Sequence, residues 1–173
     1  MSALNPEKIV IIQGNLLDSK EDYICHQCNC VTRLSKGLSN EIFRRFPTTD
    51  TYKKRFSEKD YDTPGTIYVD PFSNIINLYA QYSPGKIESK KHFEDTKTKR
   101  LEWFEICLKQ LILLSKKGKS CSFAFPFQIG CGLAGGNWDD YYLLLKNFSE
   151  HKNVKKVVIY SLKLGIKKKR GFF

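Results

Sequence analysis

Six short runs of apolar and β-branched residues recur along the chain, each bounded by turns that contain polar residues, glycine or proline. Runs of this kind are typical of strands in a buried sheet, and here they predict strands over 8–13, 23–28, 66–69, 75–80, 120–125 and 154–160. Between them, apolar residues at three- and four-residue spacing predict helices over 38–46, 93–116 and 139–148. Pro47 stops the first helix and Gly118 the second. Residues 50–56 are expected to add a short basic helix.

The order of these elements indicates the fold class. Strands alternate with helices, which predicts an α/β domain with a mixed central sheet of about six strands and helices on both faces. The length of 173 residues suits one domain, with a core over about 7–163 and a basic C-terminal tail over 164–173. No apolar stretch is long enough to span a bilayer, and the start has no apolar signal core. We therefore expect a soluble monomer in the cytoplasm, or in the nucleus of a eukaryotic cell.

The charge balance favours anionic partners. Lysine and arginine number 29 against 18 acidic residues, a formal net charge of +11. Such an excess suits nucleic acid, phosphorylated metabolites or an acidic protein surface, although a merely solvated surface explains it equally well. Only the run 167–170 forms a basic cluster of the tail type, and it is expected to make weak, salt-sensitive contacts with nucleic-acid phosphates.

Cysteine spacing raises the question of a metal site. Cys25, Cys28 and Cys30 are close in sequence, but a strand over this segment would turn Cys25 and Cys28 to opposite faces. No second pair of cysteine or histidine residues follows at zinc-finger spacing. The sequence therefore predicts free, mostly buried thiols and neither a metal nor a cofactor.

Two loops follow predicted strands and are candidates for a binding site. The first, 26–37, is polar and ends in glycine just before a helix; the second, 125–138, holds four glycines within seven residues. In α/β sheets, ligands bind beyond the carboxyl ends of the strands. Glycines let backbone N–H groups approach a bound anion, and a following helix adds its positive end. The second loop is not a Walker loop, because no Gly-Lys-Ser/Thr follows its glycines. The prediction of phosphate binding therefore depends on both loops lying at the same edge of the sheet.

Several segments in these positions resemble one known family. They are Gln13-Gly14-Asn15-Leu16-Leu17, Ile24-Cys-His-Gln-Cys-Asn-Cys30 with Gly37-Leu38, Phe125-Pro-Phe-Gln-Ile-Gly-Cys-Gly-Leu133 and Val157-Val-Ile-Tyr-Ser161. In this order they resemble the macro domain, an ADP-ribose-binding α/β fold, over roughly residues 7–163. The branch most similar contains ADP-ribose-1″-phosphate phosphatases and terminal ADP-ribose glycohydrolases. Residues 130–138 read Gly-Cys-Gly-Leu-Ala-Gly-Gly-Asn-Trp. Within this branch, the chain resembles most the phosphatase-type proteins that carry the same segment.

The resemblance implies a role for particular residues. ADP-ribose would lie between the loops 26–38 and 126–138, with His26 and Asn29 as the catalytic residues. The residues implied in ligand binding are Asn15, Leu16, Gly37, Leu38, Ile129, Gly130, Cys131, Gly132, Leu133 and Tyr160. Asn15 stands where the family has an aspartate that accepts from adenine, so its contact with the base would be uncharged.

Two positions at which this chain differs from the family reduce the number of activities that the resemblance implies. The glycohydrolase type carries a catalytic lysine before the long helix and an aspartate after Ile-Gly-Cys-Gly-Leu, whereas this chain has Tyr79-Ala-Gln81-Tyr82 and Ala134. The implied function is therefore a hydrolase that releases phosphate from ADP-ribose-1″-phosphate. The alternatives are a hydrolase that removes ADP-ribose from protein or nucleic acid, and a non-catalytic module that binds ADP-ribose or a related nucleotide signal.

Some residues have two interpretations. Asp139 and Asp140 could serve as bases, but the first turn of a helix is their simpler role. Lys86, Lys90 and Lys91 could approach a terminal phosphate, but a solvated loop over 81–92 is the simpler interpretation.

Overall fold

The structure, a computed structural model, describes residues 7–87, 94–115 and 119–163. It contains six strands and three α-helices in these ranges: β1 (Ile9–Gln13), β2 (Tyr23–Asn29), α1 (Leu38–Arg45), β3 (Ile67–Val69), β4 (Ile75–Gln81), α2 (Lys97–Ser115), β5 (Cys121–Pro126), α3 (Trp138–Glu150) and β6 (Val154–Ser161). Short 3₁₀ turns cover Leu16–Asp18, Pro47–Thr49 and Glu58–Asp60. The predicted α/β class with a mixed six-stranded sheet is confirmed.

The strands form one sheet in the order β1-β6-β5-β2-β4-β3. All neighbours pair in parallel except β3, which is antiparallel to β4 at the edge. The parallel arrangement brings the carboxyl ends of β2, β4, β5, β6 and β1 to one edge. The loops that follow β2, β4 and β5 therefore lie side by side.

Helices cover both faces of the sheet, because alternate side chains of the strands point to opposite sides. Cys25 packs in the cluster that holds the buried residues of α2 and α3, whereas Cys28 packs in the cluster that holds Ile42 and Phe43 of α1. The opposite orientation predicted for these two thiols is thus confirmed. The sheet is consequently buried on both faces, as its almost continuous apolar strands require.

Two predictions of helical structure need correction. Residues 50–56 form turns between 3₁₀ segments and no basic helix, since the side chain of Arg55 is drawn into the core, where it bonds the carbonyls of Asn29 and Thr32. The long helix begins at Lys97, since the hydroxyl of Thr96 accepts the N–H of Lys99 as an N-cap residue does. Its predicted end at 116, the stop at Gly118 and the basic tail 164–173 lie outside the described residues.

Burial of α3 against the sheet gives a test of this packing. Leu145 is completely buried, whereas Leu143 on the same helix is 57% exposed. Leu145→Ala is expected to lower the free energy of unfolding by about 2–5 kcal/mol, because it removes buried methyl groups and leaves a cavity. Leu143→Ala should change it by no more than about 0.5 kcal/mol. Urea unfolding of the two variants checks this, and equal losses would contradict the packing of α3.

Candidate functional site

A cleft of about 670 Å³ lies at the carboxyl edge of the sheet, between the loop after β2 and the loop after β5. Of the residues predicted from sequence, it brings together His26, Asn29, Gly37, Leu38, Ile129, Gly130, Gly132 and Leu133. Asn15, Leu16, Cys131 and Tyr160 do not line it. The two loops singled out from the sequence therefore form the two walls of one cleft.

The wall after β5 depends on the absence of side chains at two glycines. Gly130 has a φ of +73°, and a Cβ atom there would lie 2.4 Å from the ring of Tyr141. Gly136 donates its N–H to the carbonyl of Gly130 at 2.9 Å, and a Cβ on Gly136 would lie 2.6 Å from that same oxygen. The loop is thus folded tightly over Tyr141, which holds its outer part at the cleft.

Both walls of the cleft contain described residues whose backbone N–H groups have no hydrogen bond. Within the described residues, no acceptor bonds the N–H groups of Gly132, Leu133 and Ala134, all of which line the cleft. The same holds for Leu38 and Ser39 in the first turn of α1, whose cap residue is a glycine without a capping side chain. Converging amides and a helix N-terminus attract anions.

The charge of the cleft agrees with this. Lys36 is the one charged side chain among its lining residues in the part of the chain that the structure describes, and neither aspartate nor glutamate lines it. An anionic ligand would therefore meet amide donors and a lysine without repulsion from a carboxylate.

Asn29 stands at the end of β2 with most of its hydrogen-bonding groups engaged. Its Oδ1 accepts the N–H groups of Val31 and Thr32, at 3.1 and 2.9 Å. Its Nδ2 donates to the hydroxyl of Tyr52 at 3.1 Å, and its backbone N–H donates to the same hydroxyl at 2.8 Å. A primary amide has two N–H donors, so one N–H remains for a ligand in the cleft.

Arg55 stabilises the start of the loop after β2 by hydrogen bonds to its backbone. Its guanidinium donates to the carbonyls of Asn29 at 2.7 Å and Thr32 at 2.5 Å, and it pairs with Asp62. The same group lies 4.4 Å from the ring centroid of Tyr52. One buried cation therefore holds the start of this wall and stacks on the aromatic ring beneath it.

Arg100 has a corresponding role for the opposite wall. The buried guanidinium pairs with both oxygens of Asp95, at 2.7 and 2.8 Å, and donates to the carbonyls of Ser83, Gly85 and Ala134. Burial alone would raise the pKa of Asp95, but hydrogen bonds from Arg100 and from the N–H of Ser83 lower it below its usual value. The loop after β4 and the glycine-rich loop are thus tied to one point on α2.

His26 lies in the core beneath the cleft, with 1% of its surface exposed. Its Nε2 is 2.7 Å from Oδ1 of Asn77, whose own Nδ2 donates to the carbonyl of Thr49 and to the hydroxyl of Thr51, so His26 donates from Nε2. Its ring packs edge-on against Phe43. Burial lowers the pKa of His26 to about 4 despite the bond to Asn77. The residue has the environment of a neutral core histidine, and its predicted catalytic role stays a prediction.

The remaining predicted ligand residues lie farther along the same sheet edge. Asn15 follows β1, and its side chain accepts the N–H of Leu17 as the cap of a 3₁₀ turn, while Leu16 is buried. The ring of Tyr160, near the end of β6, covers Gly14, and its hydroxyl donates to Glu21 at 2.8 Å. Their predicted contacts with a ligand stay predictions.

The other candidates within the described ranges do not line the cleft. Asp139 and Asp140 are exposed in the first turn of α3, which confirms the structural interpretation of both. Lys86 lies against Gly135 on the glycine-rich loop, whereas Lys90 and Lys91 lie outside the described residues. Cys131 is partly buried, and burial raises the pKa of its thiol to about 11, so it is protonated at neutral pH.

Metal-binding and membrane-spanning features are not found in the described ranges. No group of three or more histidine, cysteine, aspartate or glutamate side chains in those ranges could hold a metal ion. None of the helices described there is long and apolar enough to cross a membrane.

Sequence reasoning missed the residues that support the walls. Arg55, Arg100 and Tyr52 touch the loops and were not singled out. For Arg100 a signal exists, because it falls in register with Phe104, Cys107 and Leu111 on the buried face of α2. A charged residue on an apolar helix face needs a partner inside the protein.

Comparison with known proteins identifies the fold. No family model and no curated protein matches the chain. Among solved structures, a protein of unknown function from Bacteroides thetaiotaomicron matches with a TM-score of 0.72 at 25% identity, over 90% of this chain and 99% of that one. The macrodomain of Mycobacterium tuberculosis DarG matches with a TM-score of 0.63 at 24% identity, over 88% and 96%. A Trypanosoma brucei macrodomain in complex with ADP-ribose matches with a TM-score of 0.59 at 13% identity, over 90% and 64%.

The fold is therefore that of the macrodomains, as the resemblance of the sequence segments implied.

The buried state of His26 predicts a pH dependence of stability. Its pKa is near 6.5 in the unfolded chain and about 4 in the fold, so between these values the unfolded state binds a proton that the folded state does not. Stability should fall as the pH drops from 6.5 towards 4, by up to about 1.4 kcal/mol per pH unit. His26→Gln should flatten this slope in unfolding curves measured at several pH values. An unchanged slope would show that His26 titrates normally.

The glycine-rich loop predicts a contrast between two neighbouring substitutions. Gly130→Ala should lower the free energy of unfolding by at least about 2 kcal/mol, because of its positive φ and the ring of Tyr141. Gly132→Ala should cost no more than about 0.5 kcal/mol, because a Cβ there meets nothing within 4 Å. Thermal unfolding checks both, and a stable Gly130→Ala variant would contradict the loop conformation.

Proposed function

We propose that this protein binds ADP-ribose in the cleft between the loops after β2 and β5. The observation that carries the proposal is a cleft whose described lining residues include no carboxylate, with the unbonded amides of residues 132–134 on one wall and the N-terminus of α1 on the other. A diphosphate presents acceptors on two sides and no donors, so it complements amides that converge from two walls.

The shape of the sheet edge supports an elongated ligand. Asn29 ends β2. Tyr160, near the end of β6, lies two strand spacings or roughly 10 Å away, and Asn15, after β1, lies three spacings or roughly 14 Å away. A ligand with its diphosphate at residues 132–134 could therefore reach Asn29 with one end and Tyr160 with the other. The structural neighbours from Trypanosoma brucei and Thermosipho africanus, both solved with ADP-ribose, agree with this choice.

Asn29 would contact the ribose distal to adenine. Its carbonyl oxygen is occupied by the turn that follows β2, so the group available to a ligand is a single N–H donor. Such a donor suits a sugar hydroxyl oxygen. The one N–H of Asn29 that remains, at the end of β2, supports this contact.

A second candidate function is release of phosphate from ADP-ribose-1″-phosphate. Lys36, and the lack of a carboxylate among the described lining residues, favour a ligand with this additional charge. Hydrolysis needs a group that accepts a proton from water, and His26, the candidate from the sequence, is buried and bonded to Asn77. The geometry therefore supports binding more directly than turnover.

Removal of ADP-ribose from a macromolecule is supported less, because Gln81 and Ala134 line the cleft where the resemblance implies lysine and aspartate.

Calorimetric titration with ADP-ribose tests the proposal. The wild type should bind, and Lys36→Glu should raise Kd at least about fivefold, because a carboxylate in the cleft repels the diphosphate. Lys155→Glu makes the same change of charge at the amino end of β6 and should change Kd less than twofold. Absence of wild-type binding, or equal effects of the two variants, would contradict the proposed site.

Incubation with ADP-ribose-1″-phosphate separates the candidate activities. Binding without release of phosphate at high protein concentration would select the non-catalytic module. Release that is lost in His26→Ala and Asn29→Ala, with both variants folded, would establish the phosphatase and restore His26 to a catalytic role.

A further inference from the structure

We infer that Tyr52 is a positioning residue of the cleft, whose hydroxyl sets the orientation of the Asn29 amide. The binding test of this inference rests on the proposed function, because it uses ADP-ribose. The structural test does not, because it uses the free protein. Tyr52 lies in the segment between α1 and β3, far from both loops in sequence, and its side chain lines the bottom of the cleft with 2% of its surface exposed.

The hydroxyl of Tyr52 receives two hydrogen bonds from one residue. The backbone N–H of Asn29 donates to it at 2.8 Å and the side-chain Nδ2 at 3.1 Å. Burial raises the pKa of Tyr52 well above its usual value, so the phenol keeps its proton. A neutral phenol accepts through two lone pairs, so both N–H groups are bonded at the same oxygen.

These bonds decide which way the amide faces. Val31 and Thr32 hold Oδ1 of Asn29 on one side, and Tyr52 holds one hydrogen of Nδ2 on the other. The amide plane is then defined at both ends, and its last N–H is left for the cleft. Without the Tyr52 hydroxyl, the N–H groups of Asn29 would lose their acceptor in the core, and the amide would be held by its oxygen alone.

Tyr52 is itself held in place from two sides. The guanidinium of Arg55 lies over one face of its ring, and Phe43 of α1 packs edge-on with ring centroids 5.1 Å apart. Because Arg55 also binds the backbone carbonyl of Asn29, ring and asparagine are fixed to the same cation. Rigid support of this kind is what a single donor needs in order to select a ligand.

The chain offers a matched control in Tyr79. This residue is also buried, in the same core cluster, and its hydroxyl is bonded to that of Thr51 at 2.6 Å. It neither lines the cleft nor contacts Asn29 by a hydrogen bond. Tyr79→Phe therefore removes a buried phenolic hydrogen bond of similar kind without touching the amide.

The binding assay is a double-mutant cycle with ADP-ribose as the probe. Tyr52→Phe should raise Kd about three- to tenfold, the equivalent of one hydrogen bond, while Tyr79→Phe changes it less than twofold. If Tyr52 acts through Asn29, adding Tyr52→Phe to Asn29→Ala should raise Kd no further. Additive effects, or equal effects of Tyr52→Phe and Tyr79→Phe, would overturn the inference. Thermal unfolding confirms that each variant is folded.

The structural assay uses the free protein, so it remains decisive if ADP-ribose does not bind. The two side-chain N–H signals of Asn29 in a ¹⁵N NMR spectrum should be well separated, because one hydrogen is bonded to Tyr52 and the other is not, and the bonded hydrogen should exchange slowly with solvent. Tyr52→Phe should bring the two signals closer and speed up their exchange, while Tyr79→Phe leaves them unchanged. Unchanged signals in Tyr52→Phe would overturn the inference, and wild-type signals with no ADP-ribose binding would contradict the proposed function alone.

Discussion

The cleft depends on two buried guanidinium groups that bind backbone carbonyls. Arg55 holds the loop after β2, and Arg100 holds the loop after β4 together with the glycine-rich loop. Burial of a cation is costly unless it is paired and its donors are satisfied, and here Asp62 and Asp95 supply the pairing. Loops without regular structure thereby acquire a defined separation at the edge of the sheet.

The proposed binding of an anion would therefore need few charged side chains in the cleft. The arginines direct their charges to carbonyl oxygens, and in the described ranges the N–H groups of the lining residues 132–134 have no acceptor. Gly130 and Gly136 allow the glycine-rich loop to lie directly on Tyr141, so that residues 132–134 are presented at the rim. In the proposed complex, recognition would come from the backbone, and Asn29 and Lys36 would add specificity from side chains.

Much of this architecture could be predicted from the sequence, because strand and helix periodicity report burial directly. The six strands, α1 and the two loops of the cleft followed from local pattern alone. The turns at 50–56 could not be predicted, since the place of Arg55 depends on its tertiary contacts with the carbonyls of Asn29 and Thr32, which a basic, helix-like composition conceals. His26 shows the same limit: its place on a strand was readable, but its bond to Asn77 and its burial depend on β4 and on the 3₁₀ turn after α1.

In the proposed complex, backbone amides on the two walls of the cleft bind the diphosphate of ADP-ribose. The most direct measurement is a ¹⁵N-resolved NMR titration of the whole chain with ADP-ribose. The amide signals of Gly132, Leu133 and Ala134, and those of Leu38 and Ser39, should move most as their N–H groups acquire acceptors. The amide of Ser122, already bonded to Asp22 at the opposite edge, should stay in place. Shifts confined to other regions, or none at saturating ligand, would contradict the account.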